Sequence, residues 1–137
     1  MMMKLRAESV SRQYFRKTER ANVFDAVKEV SLELAPGKLM VLTGRSGSGK
    51  TTLLHMLSGV LAPSAGKVWL DDRDLYALDD TQLSRLRNSS LSVIPQARSA
   101  VETLTVMENV LLPGLLYGRR DQEAEALDWL ERLGISP

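Results

Sequence analysis

The chain has 137 residues, of which 44% are hydrophobic, so its length suits one domain and is too short for two ordinary ones. Its 18 lysines and arginines nearly balance its 17 aspartates and glutamates, and the net charge of +1 does not indicate nucleic-acid binding. Cysteine is absent, which excludes a disulfide framework and a thiolate metal site. No apolar stretch approaches the roughly 18 residues that a membrane-spanning helix requires, so we expect none.

The first third of the chain is predicted to form antiparallel strands. Short runs of alternating polar and apolar residues extend over positions 5–34, most clearly at Leu5 to Val10 and at Phe24 to Leu34. A polar loop from Arg16 to Asn22 separates them. Pro36-Gly37 then forms a turn, and the apolar run Leu39–Leu42 that follows is predicted to be a buried parallel strand.

A glycine-rich segment follows that run and matches a phosphate-binding loop. It reads Gly44-Arg45-Ser46-Gly47-Ser48-Gly49-Lys50-Thr51-Thr52, with four residues between the outer glycines and then a lysine and a threonine. The apolar residues after it predict a helix, so the loop would join a strand to a helix N-terminus, which favours anions. A dinucleotide-binding Gly-x-Gly-x-x-Gly pattern is excluded, because Thr52 occupies the position of its third glycine.

The residue types in this segment suit a nucleoside triphosphate. Gly44, Gly47 and Gly49 allow positive φ angles and bring backbone N–H groups close to phosphate oxygens. Lys50 supplies an ammonium group for the β- and γ-phosphates. Thr51 offers a hydroxyl to Mg²⁺, which prefers oxygen ligands, and the neighbouring Thr52 reaches the α-phosphate.

Elements alternate between helix and strand after the loop. Leu53, Leu54, Leu57 and Leu61 are spaced to cover one buried face of the first helix. A strand is predicted at Lys67–Leu70. Asp79 with Gln82 resembles a cap for a short helix that ends near Arg87, and Ser90–Ile94 is predicted to be a short buried strand before Pro95.

The last third is predicted to be helical. Thr105 and Glu108 form a capping box, and Pro113-Gly114 is expected to interrupt or kink the helix that they begin. Asp121 is predicted to cap a final amphipathic helix that ends at Gly134. The buried stripe of that helix is predicted to comprise Ala126, Leu127, Leu130 and Leu133.

Along its whole length the chain resembles the nucleotide-binding subunit of ABC transporters. The resemblance is carried by VKEVSLELAPGKLMVLTGRSGSGKTTLLHMLSG, LAPSAGKVWLDDRDL, LSVIPQ, LTVMENVLLPGLL and EALDWLERLGI, in the family's order and spacing. The residues around Leu53–Leu57 and Leu104–Leu116 are most similar to the subgroup that serves lipoprotein release, antimicrobial peptide export or cell division.

The resemblance implies two further site residues. Tyr14 matches the aromatic residue that stacks on the adenine ring, although the adjacent Phe15 could take this role, since only one of two neighbours on a strand faces the nucleotide. Gln96 matches the glutamine of the Q-loop, whose amide oxygen reaches Mg²⁺ or the attacking water.

The resemblance also implies that part of the catalytic machinery is not in this sequence. The family's Leu-Ser-Gly-Gly-Gln signature, its Walker B aspartate, the adjacent catalytic glutamate and the switch histidine are not found up to Pro137. Phosphoryl transfer depends on positioning and charge stabilisation. We therefore expect the chain to bind Mg-ATP weakly at best and not to hydrolyse it.

The resemblance predicts an α/β fold: a phosphate-loop NTPase core of ABC type that is truncated before the signature motif. Its parts would be an antiparallel β subdomain (1–36), the phosphate-loop core (37–96) and the start of a helical subdomain (97–137). The implied cofactors are ATP and Mg²⁺, bound by Tyr14, residues 44–52 and Gln96, with Thr51 and Gln96 on the metal.

The implied partners are a transmembrane permease and a second ATP-binding subunit, with which the family protein forms a head-to-tail dimer. The implied location is the cytoplasmic face of the cell membrane. The alternatives are another phosphate-loop NTPase, such as a kinase, and a non-catalytic nucleotide-binding or interaction fragment.

Overall fold

The computed structural model describes residues 3–16, 22–97 and 99–135. Its elements in chain order are the strands β1 (Leu5–Arg16) and β2 (Asn22–Leu34), helix α1 (Lys50–Leu57), strands β3 (Ala65–Leu70) and β4 (Arg73–Asp74), a 3₁₀ turn (Leu75–Ala77), and helices α2 (Asp80–Ser90), α3 (Val106–Leu116) and α4 (Glu123–Arg132). The chain divides into two compact units, Met1–Arg87 and Asn88–Pro137. No helix within the described ranges is long and apolar enough to cross a membrane.

The first unit is built on a four-stranded antiparallel sheet with the order β2-β1-β3-β4, which confirms the predicted antiparallel N-terminal region. The β1–β2 ladder contains bulges, and Ser9 and Glu29 adopt positive φ angles there. Serine hydroxyls satisfy the displaced backbone groups: the Ser9 N–H donates to Ser31 Oγ, and the Glu29 N–H donates to Ser11 Oγ. The bulges therefore leave these two amides paired.

One face of this sheet forms a core with α1. The buried residues on the strands are Ala7, Val10, Val27, Val68 and Leu70, and those on α1 are Leu53, Met56 and Leu57. The predicted helix stripe is partly wrong, since Leu54 is exposed and Met56 is fully buried. Because α1 follows the glycine-rich loop directly, this core fixes the loop to the sheet.

Tyr76 holds the C-terminal end of α1. Its hydroxyl oxygen lies 2.6 Å from the carbonyl oxygens of both Met56 and Leu61, one at the end of the helix and one just beyond it. Burial raises the pKa of this phenol to about 12. The neutral phenol is thus part of the fold that positions α1.

The second unit consists of α3 and α4 and the segments around them. The Thr105–Glu108 capping box of α3 is confirmed, and the two hydrogen bonds from Thr105 to the Glu108 carboxylate lower the pKa of that carboxyl. Asn109, one turn along, donates from Nδ2 to the carbonyls of Val101, Leu104 and Thr105 and accepts from the Val101 N–H. This single side chain therefore organises the whole turn before α3.

Three predictions for the helices are corrected or refined. Helix α3 continues through Pro113. Asp121 does not cap α4, whose N-cap is Gln122 without a side-chain hydrogen bond. On α4 only Ala126 and Leu130 of the predicted stripe are buried, whereas Leu127 and Leu133 are exposed. The cap at Asp79 is confirmed, since its carboxylate accepts from the Gln82 N–H at 2.8 Å.

Two predicted buried strands are wrong. Residues 38–45 and 91–95 form neither helix nor strand, and Leu39 and Ile94 are 90% and 94% exposed. An apolar run becomes a strand only when a neighbouring strand pairs with its backbone, and neither run pairs with another strand in the part of the chain that the structure describes.

We expect Tyr76→Phe to lower the free energy of unfolding by about 1–2 kcal/mol, because the two carbonyls that face the hydroxyl lose their donor. Since the folded chain raises the phenol pKa, this contribution is complete below pH 10.0 and is lost as the pH rises towards about 12. Urea unfolding as a function of pH measures both effects.

Tyr117→Phe is the matched control for this prediction, because Tyr117 is exposed. Equal loss of stability in the two variants, or a Tyr76→Phe difference that does not change with alkaline pH, would contradict the prediction.

Candidate functional site

The glycine-rich loop ends at the N-terminus of α1, as the sequence predicts. Gly49 is the N-cap and has a left-handed backbone with φ of 87°, and the helix begins at Lys50. No side chain accepts a hydrogen bond at this cap, and the first turn carries no acidic residue. The helix N-terminus therefore presents backbone N–H groups and the positive end of its dipole without a competing side-chain acceptor.

Gly49 lies against strand β2. A Cβ atom at this position would overlap the carbonyl oxygen of Ala26 and come within 3.3 Å of the Val27 side chain. Only glycine permits both this approach and the left-handed backbone. The contact places the loop beside residues 25–28 of β2, and the two together line a groove of about 440 Å³.

The Lys50 ammonium lies inside the curve of the loop. Its Nζ donates to the carbonyl oxygens of Gly44 and Arg45 at 2.9 and 2.8 Å, and contacts Ser48 Oγ at 3.3 Å. All of its partners are neutral, so the positive charge is not compensated by any carboxylate in these bonds. An entering phosphate would exchange these contacts for charge-assisted ones, which are shorter and stronger.

The remaining loop residues are accessible. Arg45, Ser46, Gly47 and Ser48 are exposed, and the Ser48 N–H donates to the Arg45 carbonyl at 3.2 Å to close a tight turn. Thr51 in the first helical turn is exposed, and Thr52 is half-buried. The hydroxyl of Thr51 is thus available to a metal ion, the role that the sequence predicts for it.

Tyr14 and Phe15 point to opposite faces of β1. Arg12, two residues before Tyr14 on the strand, is paired with the buried Val27, so Arg12 and Tyr14 share the face of the sheet that carries the core. Tyr14 is 39% exposed and Phe15 is 79% exposed. The geometry favours Tyr14 over Phe15 for a contact on the α1 side of the sheet. Stacking of Tyr14 on an adenine ring stays a prediction.

Gln96 belongs to the second unit. It is exposed and lies in a bend directly after Pro95. No cluster of three or more histidine, cysteine or acidic side chains suited to a metal occurs among residues 3–16, 22–97 and 99–135. The assignment of Thr51 and Gln96 as metal ligands stays a prediction.

Sequence reasoning did not identify three residues that shape these surfaces. Arg12 lies over the Tyr14 ring, Ala26 presents the carbonyl against Gly49, and Asn109 organises the turn before α3. The i, i+2 spacing of Arg12 and Tyr14 and the position of Asn109 one turn into a capped helix were available signals. No signal in the sequence indicated the contact of the Ala26 carbonyl with Gly49, because that contact depends on the backbone alone.

We expect Gly49→Ala to lower the free energy of unfolding by more than about 2 kcal/mol, because it combines left-handed strain with overlap of the Ala26 carbonyl. Gly47→Ala is the matched control: its φ of 78° is also left-handed, but a Cβ there meets no atom within 4 Å. We expect Gly47→Ala to lower the free energy of unfolding by about 1–2 kcal/mol. Chemical denaturation measures both, and equal losses would contradict the packing argument.

Comparisons with known proteins identify the family of this chain. A family model described as ABC transporter matches residues 27–137. The lipoprotein-releasing system ATP-binding protein LolD of Xanthomonas oryzae pv. oryzae (strain MAFF 311018) is 38% identical over 133 residues, which are 96% of this chain and 53% of that relative. The corresponding LolD of Myxococcus xanthus (strain DK1622) is 34% identical and is covered over 59% of its length. The chain thus spans between half and three-fifths of the length of these two curated relatives.

A solved structure shares the fold. The dimeric, post-hydrolysis state of the ATP-binding cassette MJ0796, bound to ADP and Pi, superposes with a TM-score of 0.82 and 28% sequence identity, over 93% of this chain and 56% of that one. The family model covers far more than half of the chain and includes the whole glycine-rich loop. This chain belongs to the ABC transporter family.

Proposed function

We propose that this chain binds ATP with Mg²⁺ at the loop of residues 44–52, and that the whole subunit uses ATP to drive a transporter of lipoprotein-release type. The observation that carries the proposal is the Gly49-capped start of α1 with the Lys50 ammonium inside the loop, bonded only to neutral oxygens among the contacts described above. The relatives named as ATP-binding proteins and the cassette bound to ADP and Pi support it.

Each group has a part in binding. The N–H groups of the loop and of the first helical turn surround the phosphates, and Lys50 neutralises their charge. Thr51 would supply an oxygen ligand to Mg²⁺, which when bound would draw charge from the terminal phosphates. Tyr14 stacks on the adenine ring, which adds affinity through a flat contact of the kind that tolerates any base.

Titration with fluorescent ATP and Mg²⁺ tests the proposal. We expect saturable binding that Lys50→Ala weakens by about 10- to 100-fold or more, because a hydrogen-bonded charge contact is lost. Lys38→Ala, which removes an exposed lysine from the turn after β2, is the matched control for charge and should bind as the wild type does. Thr51→Val should weaken Mg-ATP more than metal-free ATP.

Binding that is equal in the wild type, Lys50→Ala and Lys38→Ala would contradict the proposed site. No binding in any of them would contradict nucleotide binding by this chain altogether.

We also propose that a membrane-embedded permease docks on the second unit, and that the chain works at the cytoplasmic membrane face through this partner, alongside a second ATP-binding subunit. A groove of about 510 Å³ supports the docking, lined mainly by apolar residues of the turn before α3 and of α3 itself. The exposed Val101, Val106 and Val110 lie along it, and Asn109 holds its turn in place.

We expect Val110→Asp to reduce co-sedimentation with proteoliposomes that contain the permease by about tenfold, because a charge is placed in an apolar contact. Leu116→Asp is the matched control: it adds the same charge at an exposed position of α3 that does not line the groove. Equal binding of the two variants would contradict docking at this groove.

A further inference from the structure

The ring of Tyr14 is covered on one side by an arginine of its own strand. The Arg12 guanidinium carbon lies 5.1 Å from the centroid of the Tyr14 ring, within the range of a cation–π contact. The two residues are adjacent on one face of β1, since side chains two apart on a strand point the same way. The ring is therefore held from one side, while 39% of the residue stays exposed.

The arginine is itself anchored. Its Nη1 donates to the carbonyl oxygen of Ala62 at 2.8 Å, which ties it to the segment between α1 and β3. Its Nε is buried and has no hydrogen-bond partner among the described residues. The hydrogen bond to the Ala62 carbonyl thus holds one edge of the guanidinium, and the Tyr14 ring contacts its planar face.

We propose that Arg12 is a positioning residue for base recognition: it holds the Tyr14 ring so that its free face receives the purine of the nucleotide. This inference rests on the proposed ATP site. The base, the tyrosine ring and the guanidinium then form one stack, in which the guanidinium is fixed by Ala62. Arg12 does not touch the nucleotide in this arrangement.

The physical contribution of Arg12 is preorganisation. A tyrosine near the end of a strand loses side-chain freedom when a base stacks on it, and that loss weakens binding. A ring already held by a cation has less freedom to lose. Immobilising one such side chain is worth about a 2- to 10-fold change in affinity, which is the size of effect expected here.

The test compares two ligands on the full chain. Mg-ATP carries a base and inorganic tripolyphosphate with Mg²⁺ does not, so an effect through Tyr14 appears with the first and not with the second. We expect Arg12→Ala to raise the Kd for Mg-ATP by about 2- to 10-fold and to leave tripolyphosphate binding unchanged. Arg12→Lys keeps the charge without the planar face and should recover only part of the loss.

Two further variants complete the design. Arg6→Ala is the matched control, because Arg6 also lies over a ring on this sheet, that of Trp69 at 5.5 Å, and its loss removes the same charge. It should bind both ligands as the wild type does. In a Tyr14→Ala background, Arg12→Ala should cause no further loss of ATP affinity, since its effect passes through the ring.

The outcomes separate this inference from the proposed function. Tight binding of both ligands by wild type and Arg12→Ala alike would overturn the role of Arg12 and leave the ATP site intact. A parallel loss of both ligands in Arg12→Ala would show a role in stability and overturn base positioning. Failure of the wild type to bind either ligand would overturn the proposed function and this inference with it.

Discussion

The close approach of Gly49 to the Ala26 carbonyl is the constraint on which the site depends. It brings the end of the glycine-rich loop against β2 without an intervening side chain, and it sets the point at which α1 begins. From there Leu53, Met56 and Leu57 carry the helix into the core. Tyr76 holds the far end of α1 through the Met56 and Leu61 carbonyls. The loop is therefore fixed at the backbone of the sheet and, through its helix, by the packing of the core.

Features encoded within a few consecutive residues could be predicted from the sequence. The glycine-rich loop at the start of α1, the caps at Asp79 and Thr105, and the glycine that ends α4 each depend on backbone groups within one or two turns of the residue concerned. The antiparallel pairing of the N-terminal strands was also predictable, because polar and apolar residues alternate there with the period of a strand. The strands themselves extend further than their alternation indicates, since ladder pairing continues through the bulges.

Features that depend on partners distant in sequence could not be predicted in this way. Leu39–Leu42 and Leu91–Ile94 have the composition of buried strands, but composition does not supply the neighbouring strand, and both stay unpaired among the described residues. For the same reason, the contact of Gly49 with Ala26 and the anchoring of Arg12 on Ala62 appear only in the folded chain. The face of β1 on which Tyr14 lies likewise depends on the register of β1 with β2.

Affinity and base preference would be decided at different places in this site. The Lys50 ammonium donates to the neutral carbonyls of Gly44 and Arg45, so a triphosphate would gain affinity by replacing them with charged oxygens. That exchange is the same for every nucleoside triphosphate. In the proposed site, discrimination between them would fall to β1, where the Tyr14 ring beside Arg12 would offer a flat surface that makes no specific hydrogen bonds to the base. Such a surface would distinguish bases by stacking strength alone, so the proposed site would separate nucleoside triphosphates only weakly.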